Sequence, residues 1–466
     1  MRVSIILLAA VSLLAETPAL AQTSDPETPP TIMPLEDARS AVYAQDKDRF
    51  EDALSALEEF AIQGNAAAML TLGDLYAQGA LVEQDKARAI QYYERSADAE
   101  SGFALYRLAE AYRTGSLVEQ DRVKAADLYQ KAAAKGIDDA KVRYAQALLN
   151  GEGVDQDPEQ GLASLNELAD DDNQSALNAL GIYYASHGDP SERDGEKAVS
   201  YLERSSSLGN LFAKVRLAEI YADGNLVPED DTKALELLTQ AGDQGLVYAR
   251  YVAAAGHLTG RFGKLSDAEK GRKALTDLAE QGHPESTITL ADAYYWGKGT
   301  SENVEQSLSL LRQGAARGEV MAIQRLAMLL RDAPGKRVQR DLASARTLIE
   351  DSSDILPPAV RSREHALLAA ADANDIADFD EISNTIAEAP AEARSGIIAA
   401  LANTNPNAFV YVAQKRLQAQ GVYSGSLSGL LTRSTIRSMQ SICDGHCRRG
   451  PLYPEAVRHL SVRLAE

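Results

Sequence analysis

Glycine recurs in this chain at a nearly fixed interval, and no other feature limits the possible folds as strongly. Gly79, Gly115, Gly151, Gly188, Gly224, Gly260 and Gly297 lie 36, 36, 37, 36, 36 and 37 residues apart. Tyr76, Tyr112, Tyr221 and Tyr294 each stand three residues before one of them. The string LVEQD occurs at 81–85 and again at 117–121, and its aspartate recurs as Asp157, Asp194, Asp230 and Asp341. An alanine follows in most copies (Ala89, Ala125, Ala198, Ala234, Ala345). A second glycine column (Gly64, Gly136, Gly209, Gly245, Gly282, Gly318) precedes the next unit. A period of this length marks a chain made of stacked supersecondary units. A single unit cannot bury its own apolar face, so neighbours must supply one continuous core.

The unit reads as helix–turn–helix. In LTLGDLYAQG (70–79), Leu72, Leu75 and Tyr76 fall on one helical face. Gly79 is placed to end that helix in a left-handed cap. Asp85 is placed to start the next as N-cap, its carboxylate accepting from exposed backbone N–H groups. The pattern A-x-x-G-x-x-x-A-x-x-x-L-G/A-x-x-Y-x-x-G-x-x-V-x-x-D-x-x-x-A resembles the Sel-one-like repeat, a relative of the tetratricopeptide repeat, with the best matches near 101–136 and 209–245. The resemblance spans about 50–350, roughly eight units by their period. It implies an all-α fold: a right-handed superhelical solenoid of helix–turn–helix repeats, followed by a small helical C-terminal domain. Three turns depart from the pattern: 186–198, 259–271 with His257 in the tyrosine column, and 329–337 with its glycine lost. They mark either an edge altered for contact or tolerated loop variation.

Leu-Pro-Pro at 356–358 breaks the period, and 360–403 returns to alanine-rich helical spacing, suited to capping the open end of the array. TNPN at 404–407 reads as a turn or a boundary. Beyond it, Val410, Gln414, Leu417, Gly421, Tyr423, Gly425, Gly429 and Thr435 fill places of the three-helix peptidoglycan-binding-like pattern. Ser438, Met439, Ile442 and Cys443 depart from its end. The resemblance covers some 35 residues and implies a glycan-binding or docking fold. From Asn405 to Glu466 there are eight Lys/Arg and three Asp/Glu, a net of +5, which leaves −26 for the rest of a chain of −21. Tyr423, Arg433, Arg437, Arg448 and Arg449 are the candidate contacts to a glycan or an acidic partner; a basic tail folded back on the acidic solenoid and solvated surface arginine are the other readings. Cys443 and Cys447, the only cysteines, read as a disulfide closing the tail. A metal site with His446 and His459 is the other reading, without regular zinc-knuckle spacing.

At the N-terminus, Arg2, the apolar run Val3–Ala15 and Ala19-Leu20-Ala21 have the form of a secretory signal cleaved between Ala21 and Gln22. The expected organisation is a signal segment at 1–21, an N-terminal segment at 22–48, the solenoid at 49–351, a helical cap or connector at 352–404, and the peptidoglycan-binding-like domain with its basic tail at 405–466. The expected compartment is the periplasm, with no transmembrane segment. The net charge of −21 argues against nucleic-acid binding. Six histidines form no recognisable catalytic set, and neither a nucleophile elbow, a phosphate loop nor a His-Glu-x-x-His helix occurs. No catalytic, cofactor or metal residue is assigned. The reading is a non-enzymatic envelope scaffold whose concave face holds other proteins, with peptidoglycan or an anionic polysaccharide as the C-terminal domain's partner. In organisation it is similar to the periplasmic repeat scaffolds of alginate and related exopolysaccharide secretion, although the lipid-bearing cysteine of that family is missing. An enzyme or inhibitor of wall metabolism and a regulator that binds a sensor protein are the alternatives.

Overall fold

The structure is a computed structural model that describes residues 32–186, 193–443, 447 and 450–465. The signal segment with Ala21 and Gln22, Gly188, His446, Arg448 and Arg449 lie outside the described residues. The chain divides into two compact units, residues 1–137 and 138–466. Among the described residues the regular structure is helical throughout.

The first unit holds α1 (Leu35–Tyr43), α2 (Phe50–Ile62), α3 (Ala66–Gln78), α4 (Lys86–Asp98), α5 (Gly102–Thr114) and α6 (Arg122–Ala134). The LVEQD turn joins the first helix of a pair, A, to the second, B, and each of its polar ends has a task. Asp85 and Asp121 cap α4 and α6 by accepting from the backbone N–H of Arg88 and Lys124, each at 2.9 Å. Their own N–H groups donate back to the carbonyls of Tyr76 and Tyr112. Gln84 and Gln120 donate to Ala77 O and Arg113 O at 2.8 and 2.7 Å, satisfying carbonyls that a helix end leaves open. Gly79 takes φ +69°, as its position before the turn requires, and a Cβ there would meet the Gln84 Cβ at 2.8 Å. Leu72 and Leu75 are buried as the spacing predicts.

The second unit continues with α7 (Asp138–Asn150), α8 (Pro158–Asp170), α9 (Gln174–Ser186), α10 (Gly195–Ser207), α11 (Leu211–Asp223), α12 (Asp231–Asp243), α13 (Val247–Thr259), α14 (Ala268–Glu280), α15 (Pro284–Trp296), α16 (Val304–Ala316), α17 (Val320–Asp332) and α18 (Leu342–Asp351). Each A helix packs on the B helix of its own pair, and consecutive A helices also touch, as α7 on α9, α13 on α15 and α15 on α17. Aspartate or asparagine caps the B helices through Asp157, Asp194, Asp230, Asp267, Asn303 and Asp341. Where the last unit has lost its glycine, Ala333 adopts the left-handed cap itself, at φ +43° and ψ +53°.

Past the period come α19 (Pro358–Asp372), α20 (Ile376–Glu388), α21 (Ala391–Thr404), α22 (Pro406–Ala419), α23 (Arg433–Ser441) and α24 (Pro454–Ala465). One apolar core joins them, from Ala366 and Leu367 through Ile397 and Phe409 to Leu460 and Leu464. The 352–404 segment and the C-terminal segment thus share their interior. The TNPN turn is a tight helix junction: Asn405 accepts from Ala408 N to cap α22, while its amide donates to Ala370 O and Ala373 O on the α19 side. Pro406 follows at the first helical position, where its missing N–H costs nothing.

Candidate interaction face

The A helices of the second unit carry polar and aromatic side chains that reach from one repeat to the next. Tyr251 on α13 shares a 3.1 Å hydrogen bond with Thr289 on α15 and packs its ring 5.1 Å from His283. Tyr248 lies 6.0 Å from Tyr251, ring to ring. Burial and, after it, the Glu219 carboxylate push the Tyr248 phenol above its ordinary value, so it stays protonated. Arg325 on α17 donates to Asp292 on α15 at 2.7 Å. Within the first unit, Arg107 on α5 binds Asp74 on α3 in the same register, 33 residues apart. These bridges are possible because the repeat sets the same face of each A helix against its neighbour. Phe212 and Met321, both second in their A helices, stand 57% and 44% exposed, more than a core position would allow.

The face deepens into a groove of about 300 Å³ between α15, α17 and α19. Ile288, Met321 and Met328 supply its apolar lining. Arg331 and Glu364, also in the lining, form a buried ion pair at 2.9 Å, with side chains 4% and 2% exposed. Burial works against the Arg331 charge, and the Asp332 and Glu364 carboxylates more than offset it, raising its pKa. Arg363 approaches the second Glu364 oxygen at 3.5 Å and is 40% exposed.

Of the predicted contact residues, the described ones, Tyr423, Arg433 and Arg437, do not line this groove. Tyr423 is a correction: it is buried, and its hydroxyl donates to Ser426 O, so its polar tip is spent on the turn it closes. Arg433 and Arg437 are exposed on α23 and have no ion pair among the described residues. Cys443 and Cys447 are joined as a disulfide, with Cα atoms 5.8 Å apart. Among the described residues no cluster of His, Cys, Asp or Glu could hold a metal, and no helix is long and apolar enough to cross a membrane.

His257 has a structural task. In most pairs the N–H of the B-helix cap donates to the carbonyl of the residue in the tyrosine column, as Asp230 does to Tyr221. In the 259–271 turn the Asp267 N–H donates to His257 Nδ1 instead, at 3.2 Å. The ring is buried edge-on against Phe262, with centroids 5.5 Å apart. Burial first, then the nearby Lys270 charge, lower its pKa below the ordinary histidine value.

Sequence reasoning missed the groove because Arg331, Arg363 and Glu364 lie at or past the end of the period. Arg325 had a signal: it stands 218 residues after Arg107, six periods of 36 or 37, as Asp292 does after Asp74.

Six segments match the Sel1 repeat family model: 66–101, 102–137, 138–163, 174–210, 212–246 and 284–319. The pair containing His257, at 247–283, falls between the last two. Among solved structures, a Sel1 repeat protein from Oxalobacter formigenes is 24% identical, with a TM-score of 0.44 over 53% of this chain and 99% of that one. The Escherichia coli protein c5321, described as a protective antigen of uropathogenic strains displaying an SLR fold, is 19% identical. Its TM-score is 0.39 over 88% of this chain and 90% of that one.

Proposed function

Because the chain is built on Sel1 repeats, we propose that it is a non-enzymatic scaffold that holds another protein along the A-helix face of its second unit. One observation carries this reading. Phe212 and Met321 stand exposed on A helices and Tyr248, Tyr251 and Met328 are half-buried at the edge of the core, alongside Arg325, already oriented by the cross-repeat carboxylate of Asp292. Aromatic residues, Met and Arg are the types enriched in protein interfaces. The form of residues 1–21 favours export to the periplasm, which makes a protein of the bacterial envelope the partner. Exopolysaccharide assembly, of which alginate secretion is one example, fits that placement.

The test is a photo-crosslinking residue placed in turn at Tyr248, at Met321 and at Lys273, which is 77% exposed on the B helix α14. A protein crosslinked in cells from Tyr248 and Met321 but not from Lys273 is expected. Equal crosslinking from all three positions, or none, would sink the reading. Fractionation of the same cells tests export: a chain retained in the cytoplasm removes the envelope assignment.

A second reading rests on Arg433 and Arg437, two exposed guanidinium groups of the C-terminal segment with no ion pair among the described residues. They suit peptidoglycan or an anionic polysaccharide. Co-sedimentation with purified peptidoglycan that is lost in Arg433→Glu/Arg437→Glu favours it. Sedimentation unchanged by the pair, or absent in the parent, refutes it.

A further inference from the structure

We propose that the groove between α15, α17 and α19 takes a polypeptide segment in which an apolar side chain is flanked by carboxylates. This rests on the scaffold reading and names the partner's chemistry at one place on that face. The apolar half of the segment is specified by Ile288, Met321 and Met328. Methionine has three rotatable bonds and a polarisable sulfur, so such a wall adapts to an aliphatic or an aromatic guest.

The charged half is specified by unequal use of donors and acceptors. Three arginines line the groove, Arg325, Arg331 and Arg363, against two carboxylates, Asp292 and Glu364. Both carboxylates are committed. Asp292 holds Arg325 at 2.7 Å and Glu364 holds Arg331 at 2.9 Å. Asp332, bound to Arg331 at 2.8 Å, does not line the groove. Among the described residues Arg363 has only the 3.5 Å approach to an acid already engaged, so most of its five N–H donors have no acceptor there. A guanidinium in that state accepts an incoming carboxylate in bidentate geometry without displacing a native bond.

The surroundings sharpen the selection. The chain carries −21 overall, so an acidic segment is repelled by most of its surface and favoured where arginines exceed carboxylates. Arg331 and Glu364 are buried and fixed by each other, so the groove is organised before a guest arrives.

The test is selection of a random 12-residue phage-displayed peptide library against the full chain. Selected peptides are then titrated by fluorescence polarisation against the parent, Arg363→Gln, Arg363→Glu and Met328→Lys. The expected result is enrichment of apolar residues flanked by Asp or Glu. Binding should weaken at least tenfold in Arg363→Glu and Met328→Lys, and fall as salt rises. Circular dichroism checks the folds, and Arg363→Gln, which adds no charge beside Glu364, should still weaken binding severalfold. Failure to enrich any peptide, enrichment of basic peptides, or binding indifferent to Arg363→Gln overturns the assignment. So does displacement of the peptides by a short oligouronate, which has carboxylates but no apolar side chain. Peptides that respond to Tyr248→Ala and not to the Arg363 variants leave the scaffold reading standing and remove this site alone.

Discussion

Acid should loosen one particular turn of this protein before its neighbours, and a histidine decides which. His257 accepts the Asp267 N–H through Nδ1, so its proton resides on Nε2. Protonation of Nδ1 sets a donor against a donor, with Phe262 packed edge-on and Lys270 adding a like charge nearby. Because burial lowers the folded-state pKa, the unfolded turn binds protons more readily than the folded one. Stability is therefore complete above the ordinary histidine value of about 6.5 and is lost as pH falls through that value toward the depressed one. Between the two, the loss runs at up to about 1.4 kcal/mol per pH unit. The assay is amide hydrogen exchange of a peptide covering 258–270, corrected for intrinsic rates, from pH 8 to pH 5. The equivalent turn at 224–230, where the Tyr221 carbonyl accepts, is the internal control. His257→Gln keeps an acceptor that does not titrate and should flatten the pH dependence. His257→Phe keeps the packing, removes the acceptor, and should cost about 1 kcal/mol at every pH, the worth of one hydrogen bond. Equal pH dependence of the two turns, or an unchanged slope in His257→Gln, would refute the reasoning.

Other substitutions test other parts of the design. Ala333→Gly should stabilise the second unit by about 1 kcal/mol in urea denaturation, because alanine now holds a left-handed conformation that glycine takes without a Cβ clash. Gly73→Ala should destabilise the first unit by about 1–3 kcal/mol, since a Cβ would lie 2.5 Å from the Tyr93 ring; an unchanged denaturation midpoint contradicts that packing. Asn405→Ala removes the α22 cap and two bonds to the α19 side, and a loss of about 2 kcal/mol is expected from the same measurement. Glu364→Leu leaves Arg331 buried with Asp332 alone and should cost about 3 kcal/mol, read from the thermal midpoint.

Much of the array was legible because its information is local. A glycine that needs positive φ and an aspartate that caps the next helix must recur wherever the turn recurs, so the repeat betrays the fold one unit at a time. The glutamine of LVEQD was visible as a repeated letter, but its bond to a carbonyl seven residues back emerged only in three dimensions. The interaction face was harder to see. Arg325 and Asp292 look like solvated charges unless the 218-residue echo of Arg107 and Asp74 is noticed. At the C-terminal end, asparagine followed by proline signals a boundary and a helix start equally well, and here it starts a helix inside a shared core. Tyr423 likewise reads as an offered aromatic until its hydroxyl is seen bonded to its own turn.

The shared interior of α19–α24 has a consequence for genetics. A stop codon introduced near 405 would take away Phe409, Val412 and Leu460 and strip the partners from Ile397 and Leu401, which the shortened product would still contain. Such an allele exposes a greasy surface to proteases and chaperones, so its phenotype would report loss of the whole protein more than loss of one activity. Alleles that recolour the surface, such as charge reversals at Arg433 and Arg437, are the ones that separate what this end does from what it supports.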